Sequence, residues 1–299
     1  MKRIRSIFSG LGLLAFAGVL SAQQPVAKVD SSATAVDYME EVYRKENIPF
    51  KKPIPFAHVR EADVTYEKTI WRMIELTEKN NLPLYYPTAP IGGRVNLVNL
   101  LLKGIENGEI TPYDPNDVNN EFVRKITMAE IDQSFGAKKD TIDVMDEDGN
   151  FIRQSREIGR QTEQIRRMLI KEKVYFDKKH SVLNVRVIGI CPIRVYSRDG
   201  GSGGEDGAQM EMTKTMWIYM PEARNILARH PIFNRFNDAQ NISFDDFFMQ
   251  NRYSGNIYKT SNVYNNREIL EYASGLDALY EAQRIENEIF DWEQDLWEY

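Results

Sequence analysis

The chain has 299 residues, of which 42% are hydrophobic and 27% are charged, with a net charge of −6. This is the composition of an ordinary globular protein, so a collagen-like, low-complexity or wholly disordered chain is excluded. The acidic balance also argues against binding to nucleic acid or to an anionic membrane surface, both of which require clustered lysines and arginines. From the length we expect one large domain or two domains of ordinary size. We expect neither nucleic acid nor an anionic membrane surface as a partner.

The first 22 residues have the pattern of a secretory signal peptide. Three basic residues precede an apolar run from Ile7 to Leu20, and small residues lead to a cleavage site between Ala22 and Gln23. The run is too short for a membrane span, and no later stretch is suited to one. The sole cysteine, Cys191, lies far beyond the cleavage site, whereas a lipoprotein carries its lipid on a cysteine just after it. We expect an exported protein of the periplasm.

A single cysteine in an exported protein has no internal disulfide partner. Cys191 follows the apolar run Ile188–Ile190, and free cysteine is among the most buried residue types. The sequence therefore favours a buried thiol. The alternative is an intermolecular thiol that bridges to a partner.

Helical spacing of apolar residues and capping residues predict several helices along the chain. Before them, residues 23–57 are expected to form a flexible, extended arm with a short helix near Tyr38, because Pro49, Pro53 and Pro55 interrupt regular structure. The predicted helices are a helix from Asp63 to about residue 80, a helix over 94–106, a short helix from Thr127, one from about Thr162, one from Pro221, one from Ser243 and one in the tail.

From about residue 140 the apolar pattern has a period of two, which is typical of strands. Two hairpins are predicted, one with its turn at 146–150 and one joining 174–176 to 182–190. Shorter strands are expected at 110–113 and 215–220, and the glycine-rich segment 199–207 is expected to be a surface loop. The sequence therefore predicts an α+β fold, with small antiparallel sheets or hairpins and segregated helices.

Residues that could carry catalysis or bind metal are few. His58, His180 and His230 have no second ligand at zinc spacing, and the acidic turn 146–150 lacks the remaining features of a calcium loop. We expect no metal and no cofactor. The adjacent Asp245 and Asp246 could form a catalytic pair in a periplasmic hydrolase, but two acids in the first turn of a helix are typical of capping.

Eight blocks of sequence together resemble the GldN/PorN family. Each block alone is weak, whereas the set is specific and extends over about residues 38–272. The blocks are Arg60–Val64, Trp71–Arg72, Leu82–Pro87, Tyr175–Lys179, Val185–Ile190, Trp217–Arg224, Asn234–Ala239 and Phe244–Phe248. With this resemblance the chain divides into a signal peptide at 1–22, an arm at 23–57, a GldN/PorN-like domain at 58–272 and an acidic amphipathic C-terminal helix at 273–299.

The resemblance implies a non-catalytic structural subunit of the type IX secretion system, by which Bacteroidota move proteins across the outer membrane and on which gliding motility depends. It implies that copies self-associate in a ring beneath the outer membrane with a GldK/PorK-like lipoprotein. It also implies contact with the periplasmic part of a GldM/PorM-like motor protein. The family supplies no catalytic residues to carry over to this chain.

Ring subunits need contact surfaces, and aromatic and arginine anchors are the usual centres of such surfaces. The candidates are Tyr85, Tyr86, Phe233, Arg235 and Phe236, for which burial in the core is the alternative. The proline-rich arm could lie across a neighbour, and the acidic face of the tail could bind a basic partner or, as the sequence favours, face solvent.

The sequence is also compatible with two other function classes. A hydrolase would show a polar pocket containing the carboxylate pair, and a monomeric binding module would show an apolar pocket without large exposed apolar patches. A scaffold subunit would show exposed apolar surface on an isolated protomer and no deep polar pocket.

Overall fold

A computed structural model describes residues 49–91, 94–117, 121–145, 151–197, 210–234, 237, 239–240 and 242–295. Several predicted features lie outside these residues. They are the signal peptide with its cleavage site at Ala22 and Gln23, the helix near Tyr38, the turn 146–150, the glycine-rich loop 199–207, and the interface candidates Arg235 and Phe236.

Nine strands are present in the described residues, and all of their pairings are antiparallel. Seven of them form one sheet in the order β2-β8-β6-β5-β1-β9, with β7 also paired to β6, and β3 and β4 form a separate hairpin. The strands are β1 (Val64–Glu75), β2 (Pro112–Tyr113), β3 (Lys138–Met145), β4 (Phe151–Ile158), β5 (Ile165–Asp177), β6 (Val182–Ser197), β7 (Met210–Lys214), β8 (Trp217–Tyr219) and β9 (Asn256–Thr260).

Two inner strands of the sheet, β1 and β5, occupy positions where the sequence predicted helices, so both of those predictions are wrong. Strand β1 replaces the helix expected from Asp63, and β5 replaces the helix expected from Thr162. Both strands carry large apolar side chains on both faces, as when Trp71 and Ile70 are buried on opposite sides of β1. A strand covered on both faces loses its simple alternation, and its apolar run then imitates helical spacing.

The other predicted elements are confirmed with adjusted bounds. Both hairpins form, although β6 continues well beyond its predicted end near Ile190 because its second half pairs with β7 and β8. The helices, together with short 3₁₀ turns at 61–63, 162–164 and 269–271, are α1 (Leu82–Tyr85), α2 (Leu97–Glu106), α3 (Met128–Ser134), α4 (Met220–Ala228), α5 (Phe244–Met249) and α6 (Leu276–Asp295).

Side-chain caps fix the starts of two short helices. A capping box at Thr127 and Glu130 opens α3, and a second box at Ser243 and Asp246 opens α5, both as the sequence predicted. In each box the acid accepts a hydrogen bond from the N–H of the residue before the helix, and that residue's hydroxyl faces the N–H of the acid. These caps place α5 beside α4, where Phe244, Phe247 and Phe248 enter the main core.

The helices lie on one face of the sheet. Along β1, Ile74 packs in the main core with helices α1 to α5. Ile70, which is four residues earlier and on the same face of the strand, packs in a second core with α6. The opposite face carries Trp71 and a smaller cluster around Cys191 and Trp217, partly covered by Phe122. Segregated helices on an antiparallel sheet are the α+β class, which confirms the predicted fold class with a larger sheet than expected.

The C-terminal helix packs against this sheet. Ala278, Ala282, Ile285 and Ile289 recur at helical spacing and are buried against the second core. Beyond them the indole of Trp292 stacks on Tyr66, with ring centroids 4.1 Å apart. The apolar side of the predicted amphipathic tail is therefore part of the fold.

Candidate functional site

An apolar groove opens between helix α1 and the segment that leads into α5. Its floor is formed by buried and half-buried residues including Leu82, Ile232 and Phe247, and its volume is about 450 Å³. Tyr86 and Phe233 lie on its rim with 53% and 45% of their surfaces exposed. The floor is continuous with the main core, whereas the rim presents aromatic surface to solvent.

Hydrogen bonds hold the two walls of the groove in place. On one side the buried Asn81 donates to the carbonyls of Glu75 and Ser254, both at 2.8 Å, which fixes the start of α1. On the other side the N–H of Ile232 donates to the carbonyl of Ile242 at 2.9 Å and closes the loop between them. Hydrogen bonds to backbone carbonyls, from the Asn81 side chain and from the Ile232 N–H, therefore fix the shape of the groove.

Three cations surround the groove. Lys79 and Arg252 line it, and the Arg94 guanidinium lies 5.4 Å from the centre of the Phe233 ring. None of the three forms an ion pair with another residue that the structure describes, and the described lining includes no acid. The groove thus combines an apolar floor with a positive rim.

A second exposed surface runs along the outer face of α6. Its residues are uncharged and follow one another at alternating intervals of four and three, which is the heptad spacing of a helix–helix contact. We call it the outer stripe, and it consists of Leu276, Tyr280, Gln283, Asn287, Phe290 and Gln294. All six side chains are exposed, and Phe290 exposes 56% of its surface.

Acidic side chains flank the outer stripe. Helix α6 carries seven acids and a single cation, Arg284, and Asp277, Glu286, Asp291 and Glu293 lie on either side of the stripe. Some acids are paired within the protomer, as when Glu286 accepts from Arg72 and Glu281 from Arg284. Asp291 and Glu293 form no ion pair with any described residue.

The structure brings together two of the predicted interface residues. Tyr86 and Phe233, distant in sequence, lie on the same groove, and both are exposed. Tyr85 is half-buried against the main core, where its hydroxyl donates to the carbonyl of Glu163 at 3.0 Å. Tyr85 therefore supports the groove from behind, with its ring edge-on to that of Tyr86.

Residues 49–57 of the arm lie against their own domain. They have no helix or strand, as predicted, but Phe56 is held between the guanidinium groups of Arg186 and Arg224, 4.4 and 4.2 Å from its ring centre. Arg224 also donates to the carbonyl of Ile54, and Lys51 forms an ion pair with Asp246. These contacts anchor residues 49–57 to the domain, so this part of the arm does not face solvent along its whole length.

We predict that Phe56→Ala loosens the arm, because both cation–π contacts and the apolar contact of the ring are lost. Trypsin cleavage after Lys51 in the folded protein should then accelerate, whereas the Lys52–Pro53 bond resists trypsin in both states. Ile54→Ala is the matched control, since the Ile54 side chain is exposed and its backbone carbonyl is retained. Equal cleavage rates in the two variants would show that the aromatic contact does not anchor the arm.

The carboxylate pair has structural partners. Asp245 is buried and accepts from Arg224 at 2.8 and 3.1 Å, and Asp246 caps α5 and pairs with Lys51. Burial raises the pKa of Asp246, but the Lys51 ammonium and the Ser243 N–H and hydroxyl outweigh it and lower the pKa below its ordinary value. This geometry matches the capping interpretation and gives no support to the hydrolase alternative.

Buried charges inside the sheet were missed by sequence reasoning. Glu121 accepts from the Trp71 indole at 2.8 Å and from Lys171 at 2.7 Å. On the other face Arg72 bridges Glu172 of β5 and Glu286 of α6, and burial raises the pKa of Glu172 despite the Arg72 charge. The sequence signal that could have indicated these contacts was the presence of charged residues within apolar strands, such as Arg72 in β1 and Lys171 and Glu172 in β5. These contacts connect elements and do not converge on a cavity of useful size.

Cys191 is fully buried in the smaller cluster, as predicted. It lies in the middle of β6 rather than at a strand end, paired with Leu169 of β5. Burial raises the pKa of its thiol to about 12. The alternative, an intermolecular bridge, would require the centre of the sheet to open.

We predict that Cys191 of the folded protein reacts with a maleimide far more slowly than the unfolded chain does, because the thiolate is the reactive form. The raised pKa also makes folding stability fall as the pH rises from about 9 towards 12, since only the unfolded state releases the proton in that interval. Rapid labelling of the native protein at neutral pH would contradict the buried assignment.

Metal-binding and membrane-spanning features are absent from the described part of the chain. No group of three or more His, Cys, Asp or Glu side chains is placed there to hold a metal ion. None of the helices described combines the length and the apolar composition that crossing a membrane requires.

Comparison with known proteins identifies the family. The family model described as gliding motility associated protein GldN matches residues 59–298, which include the groove, the seven-stranded sheet and all of α6 described here. No curated protein matches the chain. With a match over most of its length, the chain belongs to the GldN family of gliding motility associated proteins.

Proposed function

We propose that this protein is a non-catalytic structural subunit of the type IX protein secretion machinery, and that it supports secretion and gliding. In this proposal the chain is exported by its signal peptide, cleaved between Ala22 and Gln23, and resides in the periplasm at the inner face of the outer membrane. Family membership is the observation that carries the proposal.

The surface of the protomer supports an assembly role. The groove and the outer stripe both present large apolar side chains to solvent, among them Tyr86, Phe233 and Phe290. Exposed apolar patches rimmed by polar residues are typical of protein–protein contact sites. The carboxylates proposed for a hydrolase, Asp245 and Asp246, are engaged in an ion pair and a helix cap.

The proposed partners are a GldK/PorK-like lipoprotein, which would hold a ring of these subunits at the outer membrane, and the periplasmic part of a GldM/PorM-like motor protein. The protomer offers two kinds of exposed surface for contacts within such an assembly, an apolar groove with a positive rim and an acidic helix. A subunit that contacts neighbours, a lipoprotein and a motor needs several such surfaces at once.

Deletion of the gene in the native host tests this proposal. We expect secreted cargo to accumulate in the periplasm, and we expect the full chain supplied in trans to restore secretion. An Ala22→Asp variant, whose cleavage site lacks the small residue that signal peptidase requires, should remain unprocessed and restore less. Normal cargo secretion by the deletion strain would overturn the proposal.

A monomeric binding module is the second candidate, because the groove volume lies within the range of small-ligand sites. That candidate predicts an apolar pocket without other large exposed patches, whereas the outer stripe is a second apolar surface on the same protomer. A binding module would be recovered as a monomer from every fraction of the native host. A scaffold subunit would instead be recovered as part of an assembly.

A further inference from the structure

We propose that the outer stripe of α6 in one copy of the chain docks on the apolar groove of the next copy. This inference rests on the proposed function, since it names the contact by which copies repeat in an assembly. It commits to a second copy of this chain as the occupant of the groove.

The charges on the two surfaces are opposite. Lys79, Arg94 and Arg252 surround the groove without ion-pair partners among the described residues. Asp291 and Glu293 flank the exposed Phe290 on α6, likewise without ion-pair partners in the described chain. Opposed charges around two apolar centres favour contact between the surfaces and guide its register.

The same charges disfavour pairing of identical surfaces. Two α6 helices that met through their outer stripes would bring the acidic flanks of both copies together. Two grooves that met would oppose cations to cations. Juxtaposed like charges are a common means of rejecting a wrong partner. The groove and the stripe are therefore matched to each other rather than to themselves.

The shapes are also compatible. A groove of about 450 Å³ takes a few side chains rather than a whole helix. Phe290 protrudes from α6 with 56% of its surface exposed and suits such a groove as an anchor. The aromatic rim formed by Tyr86 and Phe233 would then cover the helix on either side. The amides of Gln283 and Asn287 would continue the contact along the stripe.

A contact between two different surfaces of the same chain can repeat without limit. Two copies joined in this way leave one groove free at one end and one stripe free at the other, so a further copy can bind at either end. Such heterologous contacts generate closed rings when the rotation between copies closes, and filaments when it does not. The proposed contact therefore yields more than dimers.

Cysteine crosslinking in the assembly isolated from the native host tests the contact, since the native Cys191 is buried. The cysteines replace Asn287 of the outer stripe and Asn80, an exposed residue that lines the groove, so that Phe290 and Phe233 stay in place. We expect a short bismaleimide to join Asn287→Cys copies to Asn80→Cys copies when both are expressed together. A single chain carrying both substitutions should give a ladder of dimers, trimers and larger species. Val263→Cys, at a position that is 90% exposed and outside both surfaces, replaces Asn80→Cys in the control and should give no ladder.

Four results would overturn the inference. Dimers from Asn287→Cys alone would show that α6 pairs with itself. A double variant that stops at dimers would show reciprocal pairing instead of a repeating contact. Attachment of Asn287→Cys to a different protein, identified by mass spectrometry, would assign the stripe to that protein. No crosslink at all in an assembly that contains several copies would show that the stripe and the groove do not meet.

Charge reversal gives an independent measurement. Arg252→Glu and Asp291→Arg should each lower the yield of the ladder by about tenfold, and the two together should restore it. Thermal unfolding of each variant confirms that the protomer is intact. If these variants change nothing while the deletion strain fails to secrete, the contact is wrong and the proposed function stands. Normal secretion by the deletion strain would refute the function itself.

Discussion

Replacing Arg224 by methionine lowers the free energy of unfolding by about 3–5 kcal/mol, the usual result of leaving one member of a buried ion pair unpaired. The Asp245 carboxylate is 3% exposed and accepts two hydrogen bonds from this guanidinium. The substitution also removes the hydrogen bond to Ile54 and one of the cations that hold Phe56. Urea unfolding of the purified chain measures the change.

Two further variants separate charge from packing. Arg284→Met breaks the ion pairs with Glu281 and Glu288 on the exposed side of α6, and we expect a loss below about 1 kcal/mol. Adding Asp245→Asn to Arg224→Met removes the unpaired charge and should recover part of the loss. If the double variant is as unstable as Arg224→Met alone, the loss comes from packing and not from the buried charge.

The second large effect concerns the two faces of α6. Ile285→Ala should lower the free energy of unfolding by about 2–4 kcal/mol, because its side chain is 4% exposed and fills the core between helix and sheet. Loss of this contact should loosen α6 and, with it, the bridge from Glu286 to Arg72. Denaturant unfolding together with hydrogen exchange along the helix measures both consequences.

The matched control lies on the opposite face of the same helix. Phe290→Ala removes a larger side chain, yet we expect the free energy of unfolding to change by no more than about 0.5 kcal/mol, since the ring is exposed. Its effect should appear instead in the yield of assembled protein. A loss of folding stability as large as that of Ile285→Ala would contradict the assignment of the outer stripe to a partner.

Local signals in the sequence predicted the elements that depend on local interactions. The capping boxes at Thr127 and Ser243 opened the helices that were expected, and α2 follows its apolar spacing closely. The strands β1 and β5 were missed because both of their faces are covered, one by the helices and the other by the cluster around Cys191 and Trp217, and because β1 pairs with strands distant in sequence. Only long-range pairing distinguishes such a strand from a helix.

The candidate site was predicted in part for the same reason. Tyr86 and Phe233 were chosen as aromatic anchors, but the groove that unites them depends on the contact between α1 and the segment before α5. The cations of its rim come from three separate places in the sequence, so no motif indicated them. The heptad spacing of the outer stripe is present in the sequence of α6, but only the acidic face of this helix was considered as a contact surface.

The most direct test of the central claim is the mass and composition of the complex that the tagged full chain forms in its native host, isolated in mild detergent. We expect a very large particle that contains many copies of the chain together with a lipoprotein. Loss of this particle in the Phe290→Glu variant would connect it to the outer stripe. Recovery of the wild-type chain as a free monomer, without a lipoprotein, would contradict the account.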